Sequence, residues 1–380
     1  MKKLVIIGAN EFQNPLILKA KDMGYETHVF AWKDGSVGEK TADYFYPISI
    51  IEVDKILEEC KRIKPDGIAT IGSDLANITV AKLANALNLP GNSISCIEKS
   101  TNKASMRQAF KNAGIPTPFF QSVSSITELD TSRLEYPLIV KPTDRSGSRA
   151  ITKIECLEQL EDAINWATKE SFEKKAIVES YLNGQEYSME SISYQGKHTC
   201  LAITKKYTTG APHYIETGHI QPAPLVQELE QECIREVHRA LDALEVENGA
   251  SHAEFRIDEV GNIRIIEIGS RMGGDCIGSD LVPLSTGQDF VKMVIQTAVG
   301  EKPELLEQSI EKNSAIRFIL TEQDLHNMYK IKKQFGQYLK EELVTDTPGT
   351  HEVVDSGSRF GYYILQTDTK EQMDEIWGLL

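Results

Sequence analysis

The sequence predicts a leading α/β domain with a parallel sheet, followed by a mixed α+β region and a short β-rich region. The apolar run 3–10 ends near a glycine and precedes a helical pattern at 16–25 and a second strand at 26–32, which is typical of a parallel βαβ unit. A further strand is predicted at 66–72. Beyond residue 116, strand-like segments alternate with a helical stretch at 157–170, a pattern typical of α+β folds.

Length, charge and cysteine content restrict the class of protein. A chain of 380 residues is expected to form two or three domains. Its 41 basic and 56 acidic residues give a net charge of −15, which argues against nucleic acid or an anionic membrane as the main partner. The six cysteines are scattered, without zinc-site spacing or a disulfide framework. We therefore expect a soluble cytoplasmic enzyme without a membrane span, and a homodimer is the usual assembly at this size.

Helix signals mark the start of the second region. Thr101 and Asn102 precede a helical pattern that Gly114 and Pro116 end, since glycine suits a left-handed cap and proline cannot continue a helix. A long helix is predicted at 225–246. The first turn of the leading domain contains one glycine where a dinucleotide fingerprint needs three, so the sequence argues against a nicotinamide site.

Two segments near residue 260 have the alternating pattern of paired strands. Both 252–258 and 263–270 alternate apolar and polar residues. In the second segment, Ile263, Ile265 and Glu267 are expected to share one face.

A hairpin that turns at Val260-Gly261 would place Glu254 directly opposite Glu267. Opposed side chains in an antiparallel pair have Cβ atoms roughly 4.5–5.5 Å apart, and like charges there are destabilising. Mg²⁺ would compensate, because proteins usually hold it with one or two carboxylates while water and substrate phosphates complete its shell. The alternative is a pair of solvated glutamates on a surface hairpin.

Basic and small residues surround a predicted strand end at Lys141. The loop beyond it contains Ser146, Gly147 and Ser148, and such a loop can bring backbone N–H groups close to phosphate oxygens. A hairpin tip with solvated basic residues is the alternative. The segment 176–190 contains a linker that could meet an adenine edge and ribose hydroxyls.

Taken in order, these motifs resemble the ATP-grasp superfamily over essentially the whole chain. The resemblance implies a Rossmann-like domain at 1–91, an ATP-grasp domain at 92–300 with a lid at about 116–183, and a closing domain at 301–380. Such enzymes activate a carboxylate with ATP as an acyl phosphate, which an amine then attacks. The implied cofactors are ATP and Mg²⁺, with Mn²⁺ as a substitute.

The resemblance also assigns roles by motif. Lys103 and Lys141 correspond to lysines that contact ATP phosphates, and the 146–148 loop would cover those phosphates. The adenine hinge would consist of Glu179, Ser180, Tyr181 and Leu182, and Glu186 would bind the ribose. Glu254 and Glu267 would bind metal, and Arg271 would stabilise the acyl phosphate.

One position departs from the family pattern. Many members have Glu-x-Asn-Pro-Arg on the second metal strand, whereas this chain has Gly269 in place of the asparagine. The same gap occurs in proteins that resemble bacilysin-type L-amino-acid ligases, while other motifs resemble carbamoyl-phosphate-synthase-like proteins. Glu216, His219 and His252 also resemble the amino-acid ligase subset, which implies an acceptor-site or proton-transfer role for His219.

Further candidates belong to less specific patterns. Ser73 and Asp74 follow a predicted strand, where ligands collect in α/β sheets, although capping of the next helix is the simpler interpretation. Lys205 and Lys206 could reach the nucleotide or be solvated at a strand end, and Arg359 could reach the site or pair on the surface.

The sequence thus predicts an ATP- and Mg²⁺-dependent ligase that joins a carboxylate to an amine, with an amino-acid-like substrate on at least one side. Two alternatives stay open: a carboxylase that forms carboxyphosphate on the same fold, and a nucleotide-binding regulatory protein without turnover.

Overall fold

The computed structural model describes residues 1–147, 149–211 and 214–379. Within these ranges, none of the helices combines the length and apolar composition that crossing a bilayer requires.

The leading domain is a parallel sheet covered on both faces. Its strands β1 (Lys3–Ile7), β2 (Glu26–Phe30), β3 (Tyr44–Tyr46) and β4 (Gly67–Ala69) have the order β3-β2-β1-β4. The associated helices are α1 (Asn14–Asp22), α2 (Gly38–Thr41), α3 (Val53–Ile63) and α4 (Asp74–Leu87). Leu4 and Ile6 enter one apolar cluster, whereas Val5 and Ile7 enter another. Because successive strand residues face opposite sides, this division confirms the predicted two-sided α/β domain.

The next region leads into a small antiparallel sheet. It contains α5 (Ile94–Thr101), α6 (Lys103–Asn112), β5 (Phe120–Val123), β6 (Leu138–Pro142), β7 (Thr152–Ile154), α7 (Leu160–Glu170) and β8 (Ala176–Ser180). The strands have the order β5-β8-β6-β7, and we call this unit the lid sheet. The predicted start and end of α6 are confirmed, since the Asn102 side chain accepts from the N–H groups of Ala104 and Ser105, and Gly114 has φ of +67°.

The rest of the chain builds an eight-stranded antiparallel sheet with the order β13-β12-β9-β10-β11-β14-β16-β15. Its elements are β9 (Gln185–Tyr194), β10 (Lys197–Thr208), β11 (Glu216–Gln221), α8 (Gln227–Ala243), β12 (Gly249–Ile257), β13 (Ile263–Gly269), α9 (Val282–Thr286), α10 (Phe290–Ala298), β14 (Asn313–Ile319), α11 (Glu322–Phe335), β15 (Leu339–Val344), β16 (Gly361–Thr367) and α12 (Lys370–Trp377). The strands after residue 301 therefore extend the same sheet as β9–β13.

The hairpin of β12 and β13 contains a bulge. Ile257 pairs with Ile263 and Phe255 with Ile265, but Glu254 pairs with Glu267, so Ile266 is the extra residue. The expected opposition of the two glutamates is confirmed. The expectation that Glu267 shares a face with Ile263 and Ile265 is wrong, because those isoleucines lie in the core with Ile268 while Glu267 faces a cleft. The bulge reverses the alternation at this point and turns Glu267 out of the core.

The linker between β8 and β9 approaches β12 too closely for a side chain at Gly184. This glycine has φ of +115°, and a Cβ atom there would lie 2.2 Å from the Ile257 carbonyl oxygen. Only glycine satisfies both conditions without strain.

We therefore expect Gly184→Ala to lower the free energy of unfolding by roughly 2–4 kcal/mol, through left-handed strain plus overpacking. Gly196→Ala is the matched control, because Gly196 has φ of +72° with no atom within 4 Å of the added Cβ, and it should cost about 1–2 kcal/mol. Urea denaturation measures both values, and equal losses would contradict the close-approach argument.

Candidate active site

An open cleft with an empty volume of about 1120 Å³ lies between the lid sheet and the large sheet. Most of the residues predicted for the site line it: Lys103, Lys141, Ser146, Gly147, Glu179, Ser180, Tyr181, Leu182, Glu186, Glu216, His252, Glu254, Glu267 and Arg271. Ser148 lies outside the described residues. Ser73, Asp74 and His219 are not among the residues that line the cleft wall.

Glu254 and Glu267 each use one carboxylate oxygen to contact a protein cation. Oε1 of Glu267 lies 3.1 Å from Lys103 Nζ, and Oε1 of Glu254 contacts Lys206 Nζ and lies 3.2 Å from His252 Nε2. Within the part of the chain that the structure describes, Oε2 of neither glutamate has a hydrogen-bond partner. Two opposed carboxylates with an uncommitted oxygen each suit a hard divalent cation.

The donor set also limits what kind of metal site this is. Among the described residues, no group of three or more histidine, cysteine, aspartate or glutamate side chains could hold a metal by itself. The site therefore suits Mg²⁺, which keeps water and substrate phosphates in its shell, better than a metal that needs a closed protein cage.

Lys103 is positioned by the first turn of α6. Its backbone N–H donates to the Thr143 carbonyl at 2.7 Å, and its Nζ donates to the Arg145 carbonyl at 2.6 Å. These contacts join α6 to the loop that follows β6. The Arg145 guanidinium lies 4.4 Å above the ring of Phe172, which fixes the base of the same loop.

A buried ion-pair network supports the second lysine. Lys141 Nζ lies 2.5 Å from Glu179 Oε1, and Arg107 Nε donates to Glu179 Oε2 at 2.9 Å. Burial raises the pKa of Glu179, but Arg107 and Lys141 outweigh it and lower that pKa to about 2. Burial lowers the pKa of Lys141 despite the opposing effect of Glu179. The Glu179 side chain thus has a structural task within the predicted hinge.

Arg107 also fixes the hairpin bulge. Its Nη2 donates to the carbonyl oxygen of Ile266 at 2.7 Å, which is the bulged residue of β13. A bulge leaves one residue outside the regular ladder, so this hydrogen bond satisfies a carbonyl that would otherwise lack a ladder partner.

Lys206 forms ion pairs with three glutamates. This buried lysine contacts Glu254 and lies 3.3 Å from Glu186 Oε1 and 3.8 Å from Glu216 Oε1. Burial lowers its pKa, but the three carboxylates outweigh burial and raise the pKa well above its ordinary range. Lys206 is therefore charged and belongs to the site, and the interpretation as a solvated strand-end lysine is wrong for this residue.

Glu186 and the hinge share a second cation. Arg256 Nη2 donates to Glu186 Oε2 at 3.0 Å, and its Nη1 donates to the Leu182 carbonyl at 2.7 Å. The Ser180 N–H donates to the Phe119 carbonyl and the Tyr181 N–H donates to the Pro137 carbonyl, at 3.0 Å each. Among the described residues, the Leu182 N–H has no such acceptor, so it is available to a ligand.

Arg271 is paired with a carboxylate of the leading domain. Its Nε and Nη2 donate to the two oxygens of Asp74 at 2.8 and 2.9 Å. Burial raises the pKa of Asp74, but Arg271 outweighs it and lowers the pKa. Ser73 caps α4 by accepting from the Ala76 N–H, so capping is the contact observed for this residue.

Gly269 makes room for that pair. A Cβ atom at this position would lie 3.0 Å from Asp74 Oδ1 and 3.2 Å from Arg271 Cζ. The Asp74 carboxylate thus lies beside the place that a side chain at position 269 would occupy, and it reaches that place from the first turn of α4.

His252 and Glu190 form a cross-strand pair beside Glu254. His252 Nδ1 contacts Glu190 Oε1, and His252 Nε2 lies 3.2 Å from Glu254 Oε1. Burial lowers the pKa of His252, but Glu190 and Glu254 outweigh it and raise that pKa to about 9. The imidazole is therefore charged at neutral pH and sits between two carboxylates.

The structure places His219 apart from the cleft. It is fully buried, its Nε2 lies 3.6 Å from Asp275 Oδ2, and its ring meets Phe318 edge-on. The pKa of His219 is lowered by burial, so the ring is neutral. Arg359 is bound to Asp275 through both Nη atoms and lies 3.6 Å above Phe318, so Arg359 forms a partly buried ion pair.

Several residues of the site were missed in the sequence, although weak signals were present. Arg107 lies four residues after Lys103 and so shares its helix face. Glu190 follows Glu186 and Ser188 at the two-residue spacing of one strand face. Asp275 and Arg256 had no local signal, because their partners are distant in sequence.

We expect Glu179→Gln to lower the free energy of unfolding by about 3–5 kcal/mol at pH 7, since it leaves buried Lys141 and Arg107 without a counter-ion. A carboxyl whose pKa is depressed on folding stabilises the fold above its unfolded value, so the difference from wild type should shrink as the pH falls from about 4.5 towards 2.

Urea denaturation at several pH values measures this difference. Glu161→Gln is the control, because Glu161 is an exposed glutamate of the same lid region and should have little effect at any pH. A loss that does not change with pH would refute the ion-pair explanation.

The chain is similar in sequence to known proteins. Residues 134–279 match the ATP-grasp domain family. The chain is 27% identical over 286 residues to an uncharacterised protein of Sinorhizobium fredii, covering 73% of this chain and 58% of that protein. It is 27% identical over 278 residues to the alanine–anticapsin ligase of Bacillus subtilis, covering 64% and 58%. The chain thus spans little more than half the length of these two relatives.

A solved structure extends the likeness to the whole chain. The L-amino acid ligase from Bacillus licheniformis superposes with a TM-score of 0.84 at 24% identity, covering all of this chain and 97% of that one. At this level of identity the likeness shows the fold, and the fold predicted from the motifs is confirmed.

Proposed function

We propose, from the premise that the chain contains an ATP-grasp domain, that it is an Mg-ATP-dependent ligase that joins a carboxylate to an amine. The observation that carries this proposal is the pair of opposed glutamates, Glu254 and Glu267, in a cleft that also holds Lys103, Lys141 and Arg271. Carboxylates that hold Mg²⁺ beside cations that hold phosphates are what phosphoryl transfer to a carboxylate requires.

The nucleotide would lie between the two sheets. We assign the Leu182 N–H to the adenine edge and Glu186 to the ribose hydroxyls, because both residues line the cleft and Arg256 contacts both of them. Lys141 and Lys103 would neutralise the phosphates, and the 146–148 loop of the lid, 116–183, would cover them. Mg²⁺ or Mn²⁺ held by Glu254 and Glu267 would supply charge neutralisation at the transferred phosphate.

Arg271 would act at the reacting carbon. The substrate carboxylate attacks the γ-phosphate, ADP leaves, and the amine then displaces phosphate from the acyl phosphate. Negative charge develops on the former carboxylate oxygen during that second step, and a guanidinium at this position stabilises it. Arg271 must exchange its contact with Asp74 for a contact with the substrate, and Asp74 is then free to accept from an ammonium group.

The ion pairs of the cleft favour an amino-acid-like substrate. Arg271 complements a carboxylate, whereas Glu216 complements an ammonium group, and both line the cleft, so a zwitterion fits the combination. The alanine–anticapsin ligase, whose name includes the amino acid alanine, is a relative that supports this class.

We also propose a cytoplasmic location and a homodimeric assembly. All six cysteines are free, which suits a reducing compartment.

The test is phosphate release from Mg-ATP with pooled amino acids and small carboxylic acids, followed by mass spectrometry of each active pool. We expect a condensed product, and a loss of phosphate release of roughly 100-fold or more in Glu267→Gln, because one metal carboxylate is removed. Glu259→Gln is the control, since Glu259 is an exposed glutamate in the turn of the same hairpin.

Other results would select another function. Release only with bicarbonate would favour the carboxylase that forms carboxyphosphate. Nucleotide binding without release in any pool would favour the regulatory protein, and wild-type release that Glu267→Gln does not change would refute the metal assignment.

A further inference from the structure

Glu190 is a fully buried carboxylate for which the reaction has no direct use. It lies on β9, directly opposite His252 on β12, two residues along the strands from the opposed residues Ser188 and Glu254. An ionised carboxylate without contact to water is costly unless hydrogen bonds or charges compensate it. The contacts of Glu190 therefore indicate which groups it holds in position.

Glu190 contacts two separate parts of the site. Its Oε1 accepts from His252 Nδ1, and its Oε2 accepts from the backbone N–H of Gly273 at 2.9 Å. His252 in turn donates from Nε2 to Glu254 Oε1 at 3.2 Å. Each ring nitrogen of His252 therefore has a carboxylate partner, and these two contacts hold the ring in a single orientation.

Gly273 must be a glycine for this arrangement to exist. A Cβ atom there would lie 2.6 Å from Glu190 Oε1 and 2.7 Å from His252 Nδ1, at the junction of the two side chains. The next residue differs, because a Cβ atom at Gly274 would have Gly72 O as its nearest neighbour, at 3.9 Å. The chain therefore offers two adjacent glycines, of which only one touches the pair.

The loop that Glu190 holds is the loop that carries Arg271. Arg271 lies two residues before Gly273, and its Nη1 donates to the Met272 carbonyl at 3.2 Å. One carboxylate thus fixes, through His252, the side chain of a metal-binding glutamate and, through Gly273, the backbone next to the arginine.

We propose that Glu190 and His252 are positioning residues that set the orientation of Glu254 for the metal and hold the Arg271 loop in register with it. This inference rests on the proposed function, because it takes Glu254 as a metal ligand. It adds a connection between the metal site and the acyl-phosphate site. Partners that hydrogen-bond to metal ligands typically contribute 10–100-fold to metal affinity or activity.

The experiment measures Mn²⁺ affinity of the protein–ADP complex by electron paramagnetic resonance, and ADP affinity without metal by calorimetry. We expect Gly273→Ala to weaken Mn²⁺ binding roughly 10–100-fold while ADP affinity without metal is unchanged. Gly274→Ala should behave as wild type. His252→Leu tests the same link without changing the glycine, and it should also weaken Mn²⁺ binding.

A conservative variant separates orientation from charge. Glu190→Gln can accept from Gly273 and donate to His252 Nδ1, so it should retain Mn²⁺ affinity close to wild type. Wild-type Mn²⁺ affinity in both Gly273→Ala and His252→Leu would overturn the inference, and so would an equal loss of ADP affinity, which would indicate general misfolding. A wild-type complex that binds ADP but no Mn²⁺ would refute the metal role of Glu254, and the inference with it.

Discussion

Two negative charges held opposite each other on neighbouring strands are the constraint on which the site depends. Glu254 and Glu267 would repel each other. Lys103, Lys206 and His252, which belong to three different elements, compensate the two negative charges. The opposition itself depends on the bulge at Ile266, since regular alternation would turn Glu267 into the core. Arg107 holds that bulge and, through Glu179, also supports Lys141. The proposed metal site and the proposed nucleotide site therefore share one buried arginine.

Charge pairing extends through the whole cleft. Lys103, Lys141, Lys206 and Arg271 each contact a carboxylate, and each of those carboxylates lies on a different strand or helix from its cation. Removing one partner of such a pair is costly, because the remaining charge is buried without compensation. In the proposed reaction, ligand binding would exchange one set of ion pairs for another, and phosphates and metal would take places that protein side chains hold here.

Local patterns predicted most of the secondary structure, and the resemblance of the motifs to a known family predicted much of the cleft wall. The strands and the capped helix α6 follow from periodicity and turn chemistry, which act over a few residues. The opposition of the two glutamates was predicted from a hairpin symmetric about Val260-Gly261, but in the fold it depends on the bulge. The bulge was missed although the adjacent residues Ile265 and Ile266 break the alternation of 263–268, because one such break does not show which residue leaves the ladder. Glu190 and Arg107 were missed because their meaning depends on partners 62 to 159 residues away.

The sequence by itself determined the order of the elements, the α/β and α+β division and the set of residue types that can bind phosphate and metal, because these depend on short-range pattern and composition. Only the tertiary structure decided which carboxylate meets which cation. Gly269 illustrates the difference. In the sequence, Gly269 stands where the resembling family has an asparagine, whereas in the fold its lack of a side chain leaves room for Asp74 and Arg271. Such contacts form between distant segments through sheet register and domain packing, which local propensity does not specify.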